Sequence, residues 1–357
     1  MLFNIVPLVS QLSRIQEIPS TFFQNIEASA IFDDNLFPAW TDTAFAATDL
    51  KAKFKTIYNK YKLIADPLER LKIRNAFLHD NQIQNLCNNQ VGVLCIELND
   101  LDESIRTEID STFQYLYKTA INYHGFTEFV NDNLSTAIDR FILANDMQVC
   151  PFCGLEGYTN LEGQSRIALD HWLCIDLFPF VAVNFDNLIP IGSKCNERPA
   201  KGDTNILKDE HGGRIRAYYP FLNHHRINTT FAYINEPSIV PLTDVDWVLN
   251  LIPNDPGEQY LFDSWNSIFN ILVRYRDYFR KVIHPLWEND YKRFIEDAGI
   301  GHADDTTELK EKFRIWRASF PLKARIASIL YKAFIDNMIN NTSEAYLFSL
   351  CENFKRA

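Results

Sequence analysis

The sequence predicts a mainly helical α+β protein in which a small ββα module lies between an N-terminal and a C-terminal helical region. Three observations carry that reading. Apolar residues recur at helical spacing across 44–75 and 101–146. The texture changes at 147, where MQVCPFCGLEGYTN opens a turn-rich stretch followed by short apolar runs. From 244 onward the helical pattern returns.

The N-terminal elements follow in order. The helix pattern over 44–75 is interrupted at Asp66-Pro67, because proline has no N–H to donate. Asp102 and Ser104 offer N-caps for the next helix, with Phe113, Leu116, Tyr117 and Ile121 on its apolar face. Gly125 is expected to break it before a further helix over about 127–145.

In the middle, RIALDHWLC reads as a short strand and FDNLIPIG as a loop running into an apolar strand. A helical turn or two is expected after Asn196. RIRAYYP and NTTFAYI read as strands, from their β-branched and aromatic residues. WVLNLI, DSWNSIFNILVRYRDYF and KARIASILYKAFIDNMI read as helices, and AGIGHADDTT as a loop. The expected organisation is 1–146 helical, suited to partner or regulatory contacts, 147–235 the central module, and 236–357 helical with basic-aromatic stretches.

A chain of 357 residues has room for two or three domains, or for one body carrying a small inserted module. Its 27 Phe against 12 Gly suit a packed helical body rather than disorder. The N-terminus has a short apolar run without a basic flank or a small-residue cleavage site, so a signal peptide is not expected. No run of about 18 apolar residues suggests a membrane span. Seven cysteines then read as reduced thiols plus metal ligands, and a cytoplasmic setting is expected.

A net charge of −11 argues against coating nucleic acid with the whole surface. A local patch is needed instead. Lys194, Arg198, Lys201, Lys208, Arg214, Arg216 and Arg226 give the middle a basic excess, while 1–149 is acidic. RYRDYFRK (274–281) and KEKFRIWR (310–317) alternate cations with aromatics. They read either as a nucleic-acid patch or as solvated helix faces with the rings turned inward.

Asp170-His171, Asn187 and Asn196 are the residues with chemistry to offer. Hydrolysing a phosphodiester needs an activated water, neutralisation of the scissile phosphate and stabilisation of the leaving oxygen. A histidine can take the proton near neutral pH. A carboxylate and an amide oxygen can hold a hard divalent cation. Taken singly, each has a plainer use: a surface pair, a turn residue, a helix cap. Separately, Cys150 and Cys153 have the C-x-x-C spacing that lets two thiolates reach one zinc.

The run LDHWLCIDLFPFVAVNFDNLIPIGSKCNERPAKGD resembles the HNH, or ββα-metal, finger of endonucleases. The resemblance rests on Asp170-His171, Phe178-Pro179, Asn187-Leu188-Ile189-Pro190, Cys195-Asn196 and Lys201-Gly202-Asp203, with Cys150-Pro151-Phe152-Cys153-Gly154 similar to the family's zinc knuckle. It covers roughly 150–225 and leaves the helical flanks unassigned. It implies that Asp170 and Asn196 hold a catalytic Mg²⁺ or Mn²⁺, that His171 is the general base, and that Asn187 ties the loop behind it. Lys201 and Arg198 would contact substrate phosphate.

The same resemblance implies a structural zinc on Cys150, Cys153 and Cys195. Gly192 stands where the family has a fourth cysteine, so Cys174, His211 or a water is left to complete the set. Pro199 lengthens the step from Cys195-Asn196 to Lys201, and Cys174-Ile175 replaces a Pro-Lys pair common after the histidine. Stand-alone HNH proteins with helical flanks resemble effectors of anti-phage defence acting beside a separately encoded ATPase. The expected function is therefore DNA cleavage in such a system. A restriction-type endonuclease, or a non-catalytic zinc-stapled module binding nucleic acid or protein, is the alternative.

Overall fold

Asp66 and Pro67 stop one helix and start the next. The Asp66 side chain accepts from the Leu68 N–H, and Pro67 occupies the first turn, where no N–H is required. Helix α3 (Leu50–Leu63) thus gives way to α4 (Pro67–Asp80).

A computed structural model describes residues 5–158, 160–161, 164–165, 167–221, 227–233 and 247–355. The chain is mainly helical, and its described residues form three two-stranded antiparallel sheets. It groups into two compact units. The expected central module is divided between them. Arg226 and Ile234, each named in a sequence-based expectation, lie outside the described residues.

The first unit comprises Ile5–Asn145 and Asn160–Phe221. Besides α3 and α4 it holds α1 (Glu17–Asn25), α2 (Thr41–Phe45), α5 (Ile83–Cys87), α6 (Glu103–Lys118), α7 (His124–Val130) and α8 (Leu134–Asn145). Strands β1 (Asn160–Leu161) and β2 (Gln164–Ser165) form one short pair; β3 (Ile167–His171) and β4 (Leu188–Gly192) form the second. One turn of helix, α9 (Ser193–Asn196), follows. Phe23, Phe77 and Phe113, from α1, α4 and α6, surround Phe180 at ring-centroid distances of 5.2, 5.7 and 5.2 Å. This aromatic cluster fixes the loop between β3 and β4.

The second unit holds the described residues within Asp146–Thr159 and Leu222–Ala357. Its strands are β5 (Ile227–Tyr233) and β6 (Trp247–Pro253). Its helices are α10 (Gln259–Phe269), α11 (Ile271–Tyr278), α12 (His284–Asp297), α13 (Thr306–Ala318), α14 (Ser328–Asn340) and α15 (Glu344–Lys355). Phe231 of β5 packs against Phe279 and Phe334 at 4.6 and 5.7 Å.

Four local expectations are corrected. WVLNLI is strand rather than helix, because a short apolar run fits either period and pairing along β5 decides it. RIRAYYP is extended without a ladder of its own; Lys208 and Arg214 form an isolated bridge and the Ala217 N–H goes to Cys87 O at 2.8 Å. The helix after α6 begins at His124, so Gly125 lies inside it and the break falls before it. A Cβ on Gly125 would meet Ala44 O at 2.8 Å, so the close approach of α2 explains the glycine. Finally, the turn near Asn196 ends there instead of starting. Pro199, which lacks an N–H and restricts Arg198, prevents continuation.

No helix among the described residues is long and apolar enough to cross a membrane.

Candidate active site

Asp170 and His171 are the last two residues of β3, paired with Ile189 and Leu188 of β4. Neighbours on a strand face opposite ways, so the two side chains need separate partners.

His171 is buried, and its Nε2 lies 2.9 Å from the carbonyl oxygen of Ala182. A carbonyl only accepts, so Nε2 carries the proton and Nδ1 keeps the lone pair. Burial pushes the imidazole down to about 4, and it is neutral at physiological pH. The Tyr117 ring from α6 meets it edge-on at 4.2 Å. The Tyr117 hydroxyl donates to Leu169 O at 3.0 Å. Sequence reasoning placed Tyr117 on an apolar helix face; nothing local marks it, or Ala182, as a neighbour of His171.

Lys201 is 1% exposed. Its ammonium lies 2.9 Å from Asp170 Oδ2 and 3.2 Å from Oδ1, and donates to His171 O at 2.6 Å. Lys201 therefore faces Asp170 inside the unit and does not project as a surface phosphate contact. A Lys–Gly–Asp stretch reads as a solvated turn until its position in space is known. Burial raises the Asp170 carboxyl to about 6, with Lys201 opposing the rise.

Asn187 is fully buried and clamps the segment after the histidine. Its Oδ1 accepts from Leu173 N at 2.7 Å, and its Nδ2 donates to Leu173 O at 3.0 Å. The Trp172 N–H donates to Asn187 O at 2.8 Å. Asn196 is half-exposed at the end of α9, and its main-chain carbonyl accepts from Gly202 N at 3.1 Å. The structure thus joins Asp170, His171 and Lys201, with Asn187 braced behind them. Arg198 is exposed and pairs with Asp203.

Part of the local basic excess is paired with acids by the fold. Besides Arg198 and Lys201, Lys208 pairs with Glu97, and Arg214 donates to the carbonyls of Leu207 and Leu86. In the two C-terminal stretches Tyr275, Phe279, Phe313 and Trp316 are buried. Lys281 pairs with Asp277, and Arg314 with Glu311. Those stretches are helix faces with their rings turned inward.

The knuckle is a tight turn. Gly154 N donates to Cys150 O at 2.8 Å, Cys150 N to Glu156 O at 2.7 Å, and Leu155 N to Cys153 Sγ at 3.4 Å. Gly154 has φ +63°, which glycine adopts without strain. Cys150, Cys153 and Cys195 are buried, with their sulfur atoms within 4.8 Å of one another. Zn–S bonds of about 2.3 Å hold tetrahedral thiolates roughly 3.8 Å apart, so the triad is of a size to close on a metal such as zinc. Cys174 and His211 are not part of this cluster, and the His211 side chain is exposed.

No family model matches the chain, and neither a curated protein nor a solved structure matches it.

Proposed function

We propose that the chain is a divalent-metal-dependent HNH-type endonuclease acting on DNA, with His171 as general base. The observation that carries this reading is the state of His171. It is a neutral imidazole whose Nε2–H is committed to Ala182 O, which leaves Nδ1 as a proton acceptor. The fixed order Asp170-His171, Asn187, Asn196 supports it.

In the proposed reaction Nδ1 of His171 takes a proton from water as the water oxygen bonds to phosphorus. The phosphorus bond to the 3′ oxygen breaks, and that oxygen is protonated from solvent. Asp170 and Asn196 would hold the Mg²⁺ or Mn²⁺, whose charge stabilises the phosphorane-like transition state and the leaving oxygen. Asn187 keeps the Leu173 segment, and with it the histidine, in place. Zinc on Cys150, Cys153 and Cys195, completed by a water, would be structural. A role as a defence effector beside a separately encoded ATPase belongs to the same proposal.

One observation favours a second reading. Both oxygens of Asp170 face the buried Lys201 ammonium, an arrangement that also suits a closed structural ion pair in a zinc-stapled binding module. Plasmid nicking with Mg²⁺ or Mn²⁺ separates the two. Cleavage by the wild type that is lost by a factor of at least about 10³ in His171→Ala supports the nuclease. Equal cleavage by both removes His171 as the base, and absence of cleavage with either metal favours the binding module.

A further inference from the structure

Lys201 stands where a cation held by Asp170 would stand. Its buried ammonium lies 2.9 Å from Asp170 Oδ2 and 3.2 Å from Oδ1. A Mg²⁺ ion binds carboxylate oxygen at about 2.1 Å. An ion that close to either oxygen would sit beside the ammonium, where burial magnifies the repulsion of like charges. Asp170 can therefore hold Lys201 or a divalent cation, but not both. Nor does Lys201 satisfy the carboxylate completely. Oδ2 is buried and accepts no hydrogen bond from a described residue, although it faces the ammonium.

The segment that carries Lys201 is held lightly from outside. Lys201 N donates to Cys195 O at 3.2 Å and Gly202 N to Asn196 O at 3.1 Å. Glu197, Arg198 and Pro199 are exposed. Arg198 Nε donates to Asp203 Oδ1 at 2.8 Å, and the two side chains form a clasp on the surface. Ion pairs so placed contribute little and are weakened by salt. Inside, the Lys201 ammonium also donates to His171 O at 2.6 Å, so its withdrawal would release the main chain at the histidine together with Asp170. Asp170 and His171 are both buried, which keeps a phosphodiester away from them while the lysine is in place.

We propose that Lys201 is a latch on the Asp170 seat, and that it has to withdraw before Asp170 can accept a divalent cation. The proposal rests on the reading of Asp170 as a metal ligand and assigns that site its regulation. The chemistry is competition between an internal and an external cation. Apparent metal affinity is lowered by the fraction of molecules in which the seat is free. Release of the Arg198–Asp203 clasp favours the open state, because it loosens the segment that carries the lysine.

The test follows Lys201 itself. The chain is acetylated with an N-hydroxysuccinimide ester, with and without saturating Mn²⁺, and labelling is read by peptide mass spectrometry against the exposed Lys194. Mn²⁺ is expected to raise Lys201 labelling about fivefold or more in the wild type and to leave it unmoved in Asp170→Asn. In parallel, Mn²⁺ binding is titrated by electron paramagnetic resonance, with Asp170→Asn defining the share bound through Asp170. Lys201→Gln is expected to bind that share about tenfold more tightly than the wild type. Asp203→Asn, which opens the surface clasp and keeps the lysine, is expected to tighten binding about two- to threefold and replaces Lys201→Gln if that variant does not fold. Mn²⁺ bound through Asp170 with Lys201 still protected, or with equal affinity in the wild type and the variants, would overturn the latch and leave the metal site standing. Absence of any Asp170-dependent Mn²⁺ binding in every protein would overturn the metal site and the latch with it.

Discussion

Lys201 holds Asp170 from inside the protein: its ammonium, excluded from water, reaches both carboxylate oxygens and the carbonyl of His171. Removing one member of a buried ion pair leaves the other charge uncompensated, at a cost of about 3–5 kcal/mol. Lys201→Met is therefore expected to lower unfolding stability by that amount in urea titrations. Lys201→Met combined with Asp170→Leu should recover most of the loss. A loss under about 1 kcal/mol in the single variant would show that the pair is not closed in solution.

His171 and Asp170 titrate in opposite senses over one pH window. His171 is depressed from 6.5 to about 4, so its stabilisation is complete above the unfolded value and drains away as pH falls towards 4. Asp170 is raised from 3.8 to about 6, so its stabilisation is complete at low pH and is lost as pH rises through 6. Each slope amounts to about 3 kcal/mol in full. The two nearly cancel in the wild type. Relative to it, His171→Asn should lose stability as pH rises from 4 to 6, and Asp170→Asn as pH falls from 6.5 to 4. Denaturation midpoints measured across that range would contradict this if both variants ran parallel to the wild type.

Asn187 satisfies both main-chain groups of Leu173 from a fully buried position. Asn187→Ala strands those groups and is expected to cost about 2–4 kcal/mol. Asn187→Asp keeps the acceptor to Leu173 N but loses the donor to Leu173 O. If the nuclease reading holds, both variants should also slow cleavage in the plasmid assay more than they alter substrate binding. A normal turnover in Asn187→Ala would detach the clamp from catalysis.

The cysteine triad makes a metal-content prediction. One zinc per chain is expected by elemental analysis, falling below about 0.2 in Cys195→Ser. A strong chelator should lower the melting temperature of the wild type and leave that of the variant unmoved. Zinc retained in full by Cys195→Ser would exclude Cys195 as a ligand.

Asp80 is fully buried at the end of α4, and neither of its carboxylate oxygens has a hydrogen-bond partner among the described residues. Burial raises its pKa well above the ordinary value. The folded state thus holds the proton more tightly, and stability is lost as pH rises from the unfolded pKa towards the folded one. Asp80→Asn removes that loss, so its advantage over the wild type should be larger at pH 8 than at pH 4.5. An equal difference at both pH values would rule out the buried titration.

The sequence determined what is local. The Asp66-Pro67 step, the α3 and α4 helices, the Cys150-to-Cys153 turn and the β3–β4 pair around Asp170-His171 were all legible, because caps, prolines and hydrophobic period act over a few residues. The tertiary structure decided what depends on distant partners. WVLNLI became a strand through its long-range pairing with β5. Lys201 became a buried counter-ion to Asp170, 31 residues away in sequence, instead of a surface cation. Ala182 and Tyr117 became the neighbours of His171 because Phe180 locks its loop between α1, α4 and α6. Electrostatic roles of this kind follow from burial and from which side chains meet, and these emerge only when the whole chain packs.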